Sequence, residues 1–150
     1  MVAGPQYPAD IDWPANVERF DHVGPADHPA FYGHSRFTLN VTRADMIRAG
    51  YSPSVRLFEA GACGTPIISD VWDGIETLFR DGEEIALARR PEDVLAILQD
   101  WPDDKVRRTG EAARARVLAG HTAAHRAGEL ERYLHAAAEA DSDPRSAVQM

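Results

Sequence analysis

Short apolar runs that end on turn residues alternate along this chain with longer stretches of helical period, and that alternation most narrows the folds open to it. Parallel strands need a crossover between them, usually a helix, so the pattern predicts an α/β protein with an open parallel sheet flanked by helices. Strands are expected at Val2-Ala3, Val17 to Val23, Phe37 to Val41, Pro66 to Ser69 and Ile85 to Ala88. Helices are expected from His28 to Ser35, Ser54 to Ala62, Gly74 to Phe79 and Pro91 to Trp101, with a helical C-terminal extension from Asp103 to about Ala119 and Thr122 to Ala140. Pro91 suits a first helical turn, and the Glu92 and Asp93 that follow suit the positive end of its dipole. No repeat or linker divides the chain, which reads as one domain over 1–140 and a disordered tail over 141–150, where Ser, Asp, Pro and Arg mix.

Charge removes several function classes. The formal net charge is -8, and the basic residues are scattered, so the phosphate backbone of a nucleic acid is an unsuitable partner. No apolar run approaches the roughly 18 to 20 residues of a membrane span. The opening MVAGPQYPAD lacks the basic-then-apolar order of a signal peptide, and the expectation is a cytoplasmic protein. Cys63, the single cysteine, lies in an apolar helical stretch with no activating base beside it and reads as a small core residue.

The block SPSVRLFEAGACGTPIISD, residues 52–70, carries the chemistry. In an open parallel sheet ligands gather beyond the carboxyl ends of the strands, and the stretch from Asn40 to Ser54 has that place. Gly50 lets a backbone approach closely, Ser52 and Ser54 flank the stiffening Pro53, and a helix beginning at Ser54 or Val55 presents unpaired N–H groups. Such a turn can seat a phosphate; Ser-Pro-Ser is also ordinary helix-capping chemistry. Glu59 follows Ser54 by five residues, roughly 7 to 8 Å along a helix, about the reach from a phosphate to the ribose of a nucleotide. Its carboxylate could accept from paired ribose hydroxyls, or could form a helix-surface ion pair with Arg56 three residues before it.

That block, with WDGIETLFRDGEE after it, resembles the C-terminal half of GT-B glycosyltransferases of the group 1 type, most closely the spore-maturation CgeB-like group. The likeness extends to VAGPQYP, to AFYGHSRFTLNVTRADMIRAGY and to HTAAHRAGELERYL, reaching about residue 140. It implies a Rossmann-like donor-binding domain for a nucleoside-diphosphate sugar. It further implies that Glu59 holds the ribose hydroxyls, that the Gly50–Ser54 turn receives the diphosphate, and that the loop around His22, Val23 and Gly24 borders the base. The expected site therefore comprises Val23, Gly24, Asn40, Arg43, Gly50, Tyr51, Ser52, Pro53, Ser54, Arg56 and Glu59. A partner half is implied too, an N-terminal GT-B domain that binds acceptor and closes the cleft, without which 150 residues bind more than they catalyse. Many retaining relatives carry a glutamate eight positions before the ribose carboxylate, where this chain has Tyr51; a non-catalytic interaction or regulatory module is the alternative that this departure supports.

Other groups read as follows. His121 and His125 could share a helix face, but HTAAH lacks a metalloprotease glutamate and a third ligand, so no zinc site is expected. No Asp-x-Asp pair suits a diphosphate metal, so neither metal nor cofactor is expected beside the donor. Asn40, Thr42 and Arg43 could line the donor pocket, Arg43 alternatively pairing with Asp45. Asp70 and Asp73 suit capping of the helix near Gly74, and Trp72 suits packing. No G-x-G-x-x-G follows an expected strand, against a dinucleotide oxidoreductase, and VAGPQ lacks the acidic cluster of a receiver-like domain.

Overall fold

The computed structural model describes residues 1–4 and 7–142. Five short strands, β1 (Val2–Ala3), β2 (Arg19–Phe20), β3 (Thr38–Asn40), β4 (Ile67–Ser69) and β5 (Ala86–Leu87), alternate with helices α1 (His28–Gly33), α2 (Ala44–Ala49), α3 (Val55–Ala62), α4 (Ile75–Leu78) and α5 (Pro91–Asp100). Two long helices follow, α6 (Asp103–Gly120) and α7 (Ala123–Ser142). All strand pairings are parallel, as β1-β2 and as β3-β4-β5, with Leu39 opposite Ile68 and Ile68 opposite Ala86. The α/β class and the parallel sense match the expectation. The single expected sheet does not: among the described residues two ladders stand separately.

β4 is buried on both faces, as a central parallel strand should be. Ile67 joins a core with Leu57 and Ala60 of α3, Ile75 of α4, Ala113 and Val117 of α6, and Tyr32, Trp72, Phe79 and Ile85. Its neighbour Ile68 points the other way, to Ala86, Ala88 and Ile97 of α5, because successive strand side chains alternate between faces. α3 and α6 approach closely because small residues face each other. A Cβ on Gly110 would lie 2.1 Å from the Gly64 carbonyl oxygen, and one on Gly61 would lie 2.9 Å from Val117 Cγ2.

Elements differ from the sequence reading at their edges and in one omission. The strands shrink to two or three residues inside the expected runs, and α7 continues to Ser142; residues 143–150, the rest of the expected disordered tail, lie outside the described residues. α2 occupies ground read as loop between Asn40 and Ser54. Its sequence RADMIRAG has a helix former at nearly every position and Gly50 as a stop at φ +63°, but six residues are too few for a visible amphipathic period. No described helix is long and apolar enough to cross a membrane.

Candidate functional site

Parallel strands send their following loops to one end, so the segments after β2, β3 and β4 converge there. The turn from Gly50 to Ser54 joins them. Gly50 and Tyr51 both have positive φ, at +63° and +47°, and the Tyr51 N–H donates to the Asp73 carbonyl at 2.6 Å. The Tyr51 ring then lies on Gly74, where an added Cβ would meet Tyr51 Cδ1 at 2.5 Å. Ser54 caps α3, its Oγ accepting from the Arg56 N–H at 3.4 Å. Val55 is 67% exposed, so the first turn of α3 lies at the surface; besides the Arg56 N–H given to the cap, the Leu57 N–H goes to the Ser54 carbonyl at 3.2 Å.

Glu59 lies one and a half turns on, with its side chain 33% exposed. No ion pair joins it to Arg56 among the described residues. It meets α1 instead: Tyr32 Oη donates to Glu59 Oε2 at 3.5 Å, and His28 Nδ1 lies 3.8 Å from Oε1. The other His28 nitrogen, Nε2, is 3.3 Å from the Val23 carbonyl, so one imidazole ties the Val23–Gly24 loop to the carboxylate. With Nε2–H donating to that carbonyl, Nδ1 pairs with Glu59 only in the protonated ring. Burial, followed by the Glu59 charge, raises the Tyr32 hydroxyl above its ordinary pKa, which keeps it a donor. Sequence reasoning missed His28 and Tyr32. Their signal was a spacing of four on one helix, which puts both on one face.

The remaining expected residues divide. Gly50, Tyr51, Ser52, Pro53 and Ser54 form the turn, with Arg56 half-buried in the first turn of α3. Val23 is tied to Glu59 through His28, with Gly24 next to it in the chain, and Val23 also lines a cavity of about 360 Å³ with His22, Phe20 and Phe31. Asn40 is turned inward at 1% exposure, donating through Nδ2 to Ser69 Oγ at 3.0 Å and Thr42 Oγ1 at 3.3 Å, while its Oδ1 has no partner. Arg43 is exposed at the start of α2.

Asp70 does not cap α4. It accepts from the Thr42 N–H at 3.0 Å and the Thr42 hydroxyl at 2.6 Å, pinning the segment after β3 to the segment after β4. Gly74 holds the capping position at φ +106°, and its N–H donates to Glu76. Asp73 is exposed, and Trp72 is buried at 4% exposure, as packing required. Cys63 packs half-buried on the core, its thiol pKa raised by burial and then by Glu59, so the unreactive thiol dominates. His121 lies beside Phe58 and Phe79, with centroids 5.6 and 6.3 Å away, and His125 Nδ1 is 2.7 Å from Thr122 Oγ1.

With the geometry in place, comparisons with known proteins bear on it. A family model described as glycosyl transferase-like matches residues 1–132. No curated protein matches the chain. Among solved structures, sucrose-phosphate synthase from Thermosynechococcus elongatus superposes with a TM-score of 0.60 at 22% sequence identity, over 80% of this chain and 30% of that one. At that identity the likeness speaks for the fold, an α/β Rossmann-like half of a GT-B architecture. The chain spans under a third of the length of that enzyme.

Proposed function

The chain belongs to the glycosyl transferase-like family, and from that premise we propose that it is the donor-binding half of a GT-B glycosyltransferase, holding a nucleoside-diphosphate sugar for transfer to an acceptor hydroxyl. Within the family, the residues of the 52–70 block favour the spore-maturation CgeB-like group. The diphosphate takes the Gly50–Ser54 turn, where backbone donors, two hydroxyls and the positive end of α3 meet it. Glu59 accepts from the ribose hydroxyls, and the Val23–Gly24 loop borders the base.

One observation carries this reading. Among the described residues no arginine pairs with Glu59; its side chain is one-third exposed and meets Tyr32 and His28 one and a half turns beyond the start of α3. In the reaction, the donors at the α3 mouth would stabilise the departing nucleoside diphosphate, and a general base would come from the acceptor-side half.

The test is calorimetric titration of the folded chain with uridine, guanosine, adenosine and thymidine diphosphates. Saturable binding of at least one is expected; no binding of any would overturn the assignment. Tyr51, 72% exposed where a sugar-side carboxylate would stand, favours a second reading, a non-catalytic module on the same fold. That reading requires that adding an acceptor-side half restore neither transfer nor donor hydrolysis.

A further inference from the structure

We propose that His28 is the positioning residue of the nucleoside half of the site: with a proton on both ring nitrogens it ties the Val23–Gly24 loop, on the base side, to Glu59, on the ribose side, and the grip on the nucleoside tightens when that tie is made. This rests on the donor-half reading above, whose site it deepens.

The ring stands between two groups that only accept. Nε2 lies 3.3 Å from the Val23 carbonyl oxygen, and Nδ1 lies 3.8 Å from Glu59 Oε1. A neutral imidazole carries one N–H, so in either tautomer a nitrogen lone pair faces an acceptor oxygen; the imidazolium offers a proton to each. Uncharged, the ring holds one side of the nucleoside site and releases the other. At its separation the contact with Glu59 is an ion pair rather than a hydrogen bond, and so depends on the charge itself. Solvent screens it only in part, because the His28 side chain is 21% exposed and that of Glu59 33%.

Tyr32 does not share this dependence. One helical turn along α1, it gives its hydroxyl to the second carboxylate oxygen, Oε2, at 3.5 Å, and its own carbonyl accepts from Thr65 Oγ1 at 2.9 Å. Burial, then the Glu59 charge, raises that hydroxyl above its ordinary value near 10, so it keeps its proton throughout the histidine range. The other charged and titratable groups nearby are Arg56 on α3, whose charge reaches Tyr32, and Asp27 and His22 on the segment that enters α1. The diphosphate seat is held by other means. The Tyr51 N–H goes to the Asp73 carbonyl at 2.6 Å, and Thr42, ahead of α2, gives its N–H and hydroxyl to Asp70. Among the described residues His28 bonds to none of these groups, so its proton should act on the nucleoside and spare the diphosphate.

The test titrates the full chain and His28→Gln, whose amide keeps an uncharged donor in place of the neutral ring, with uridine, guanosine, adenosine and thymidine diphosphates and with inorganic pyrophosphate. For whichever nucleoside diphosphate binds, the two proteins should agree at about pH 8, and the unsubstituted chain should bind about threefold or more tighter at about pH 6. Pyrophosphate should bind both proteins alike at either pH. Ionisation of the ligand and of His22 is common to both proteins and drops out of the comparison. Equal nucleotide affinities at the lower pH would overturn the proposal, as would a matching loss for pyrophosphate, which would make His28 a support of the fold rather than of the nucleoside. A ligand-free measurement keeps this apart from the donor reading: the carbon resonances of the Val23 carbonyl and the Glu59 carboxyl should shift together between about pH 6 and 8 in the unsubstituted chain and not in His28→Gln. Joint shifts in a chain that binds no nucleoside diphosphate count against the donor reading, whereas binding without joint shifts counts against His28.

Discussion

Glu59 can be separated from the stability of its helix because, among the described residues, its carboxylate bonds to Tyr32 and pairs with His28, both on α1. Glu59→Gln keeps the shape and removes the charge, and should weaken nucleoside-diphosphate binding by about 1 to 3 kcal/mol, the range for a charged hydrogen bond. Calorimetry reads that loss, and a thermal melt shifted by less than the equivalent of about 0.5 kcal/mol shows that the fold is untouched. Ser54→Ala should reverse the emphasis. The backbone donors for the diphosphate remain, while the lost cap costs about 1 kcal/mol of stability. His121 gives a pH signature elsewhere. Burial, with Arg116 and Arg126 adding to it, holds its pKa below the ordinary 6.5. The unfolded chain therefore takes up this proton first, and stability present above about pH 6.5 is lost as pH falls toward the depressed folded value. His121→Phe keeps the packing on Phe58 and Phe79 and should shrink the drop in melting temperature between about pH 7 and 5.

At the scale of elements, the contact of α3 with α6 depends on missing side chains. A Cβ at Gly110 would fall 2.1 Å from the Gly64 carbonyl oxygen, which belongs to a turn fixed at φ +76°. Backbone cannot swing aside as a side chain can, so Gly110→Ala should destabilise by about 1 to 3 kcal/mol despite its better helix propensity, read as a lower denaturation midpoint. Gly120→Ala, with nothing within 4 Å, is the matched control and should not destabilise. Sequence showed the α5 and α6 starts well, because Pro91 and the acidic first turns are local signals. It showed that β4 is a strand, because the run Pro66, Ile67 and Ile68 is apolar and bounded by turn residues, yet it hid α2, too short for a period. Glu59 was legible from its distance to Ser54, which a helix fixes at 1.5 Å per residue. Its partners were not, since His28 and Tyr32 lie 31 and 27 positions away and meet it only through packing of α1 on α3. Asp70 misled for the same reason: a cap is a local guess, and its real partner Thr42 comes from the neighbouring strand end.

For the whole molecule, binding and turnover should come apart. On the function proposed above, nucleotide affinity would need donors at one helix mouth and one carboxylate, which lie on one side of the molecule, Val55 67% exposed and the Glu59 side chain 33%. Turnover needs more: a placed acceptor, a base and exclusion of water, each supplied in a two-walled cleft by the opposing wall. A donor sugar in the proposed site would have little to grip, because the position eight before Glu59 is Tyr51, whose N–H is already given to the Asp73 carbonyl. The isolated chain should therefore bind a nucleoside diphosphate and its sugar conjugate with affinities within about threefold of each other, since the sugar adds contacts only when the opposing wall is present. It should release no free sugar from the conjugate. Titration of both ligands, followed by chromatography of the incubated conjugate, measures the two halves of this statement in one sample. Sugar release by the chain alone, lost in Glu59→Gln, would mean that a single wall suffices for the chemistry; a conjugate bound far more tightly than the bare diphosphate would mean that Tyr51 and its neighbours grip the sugar after all.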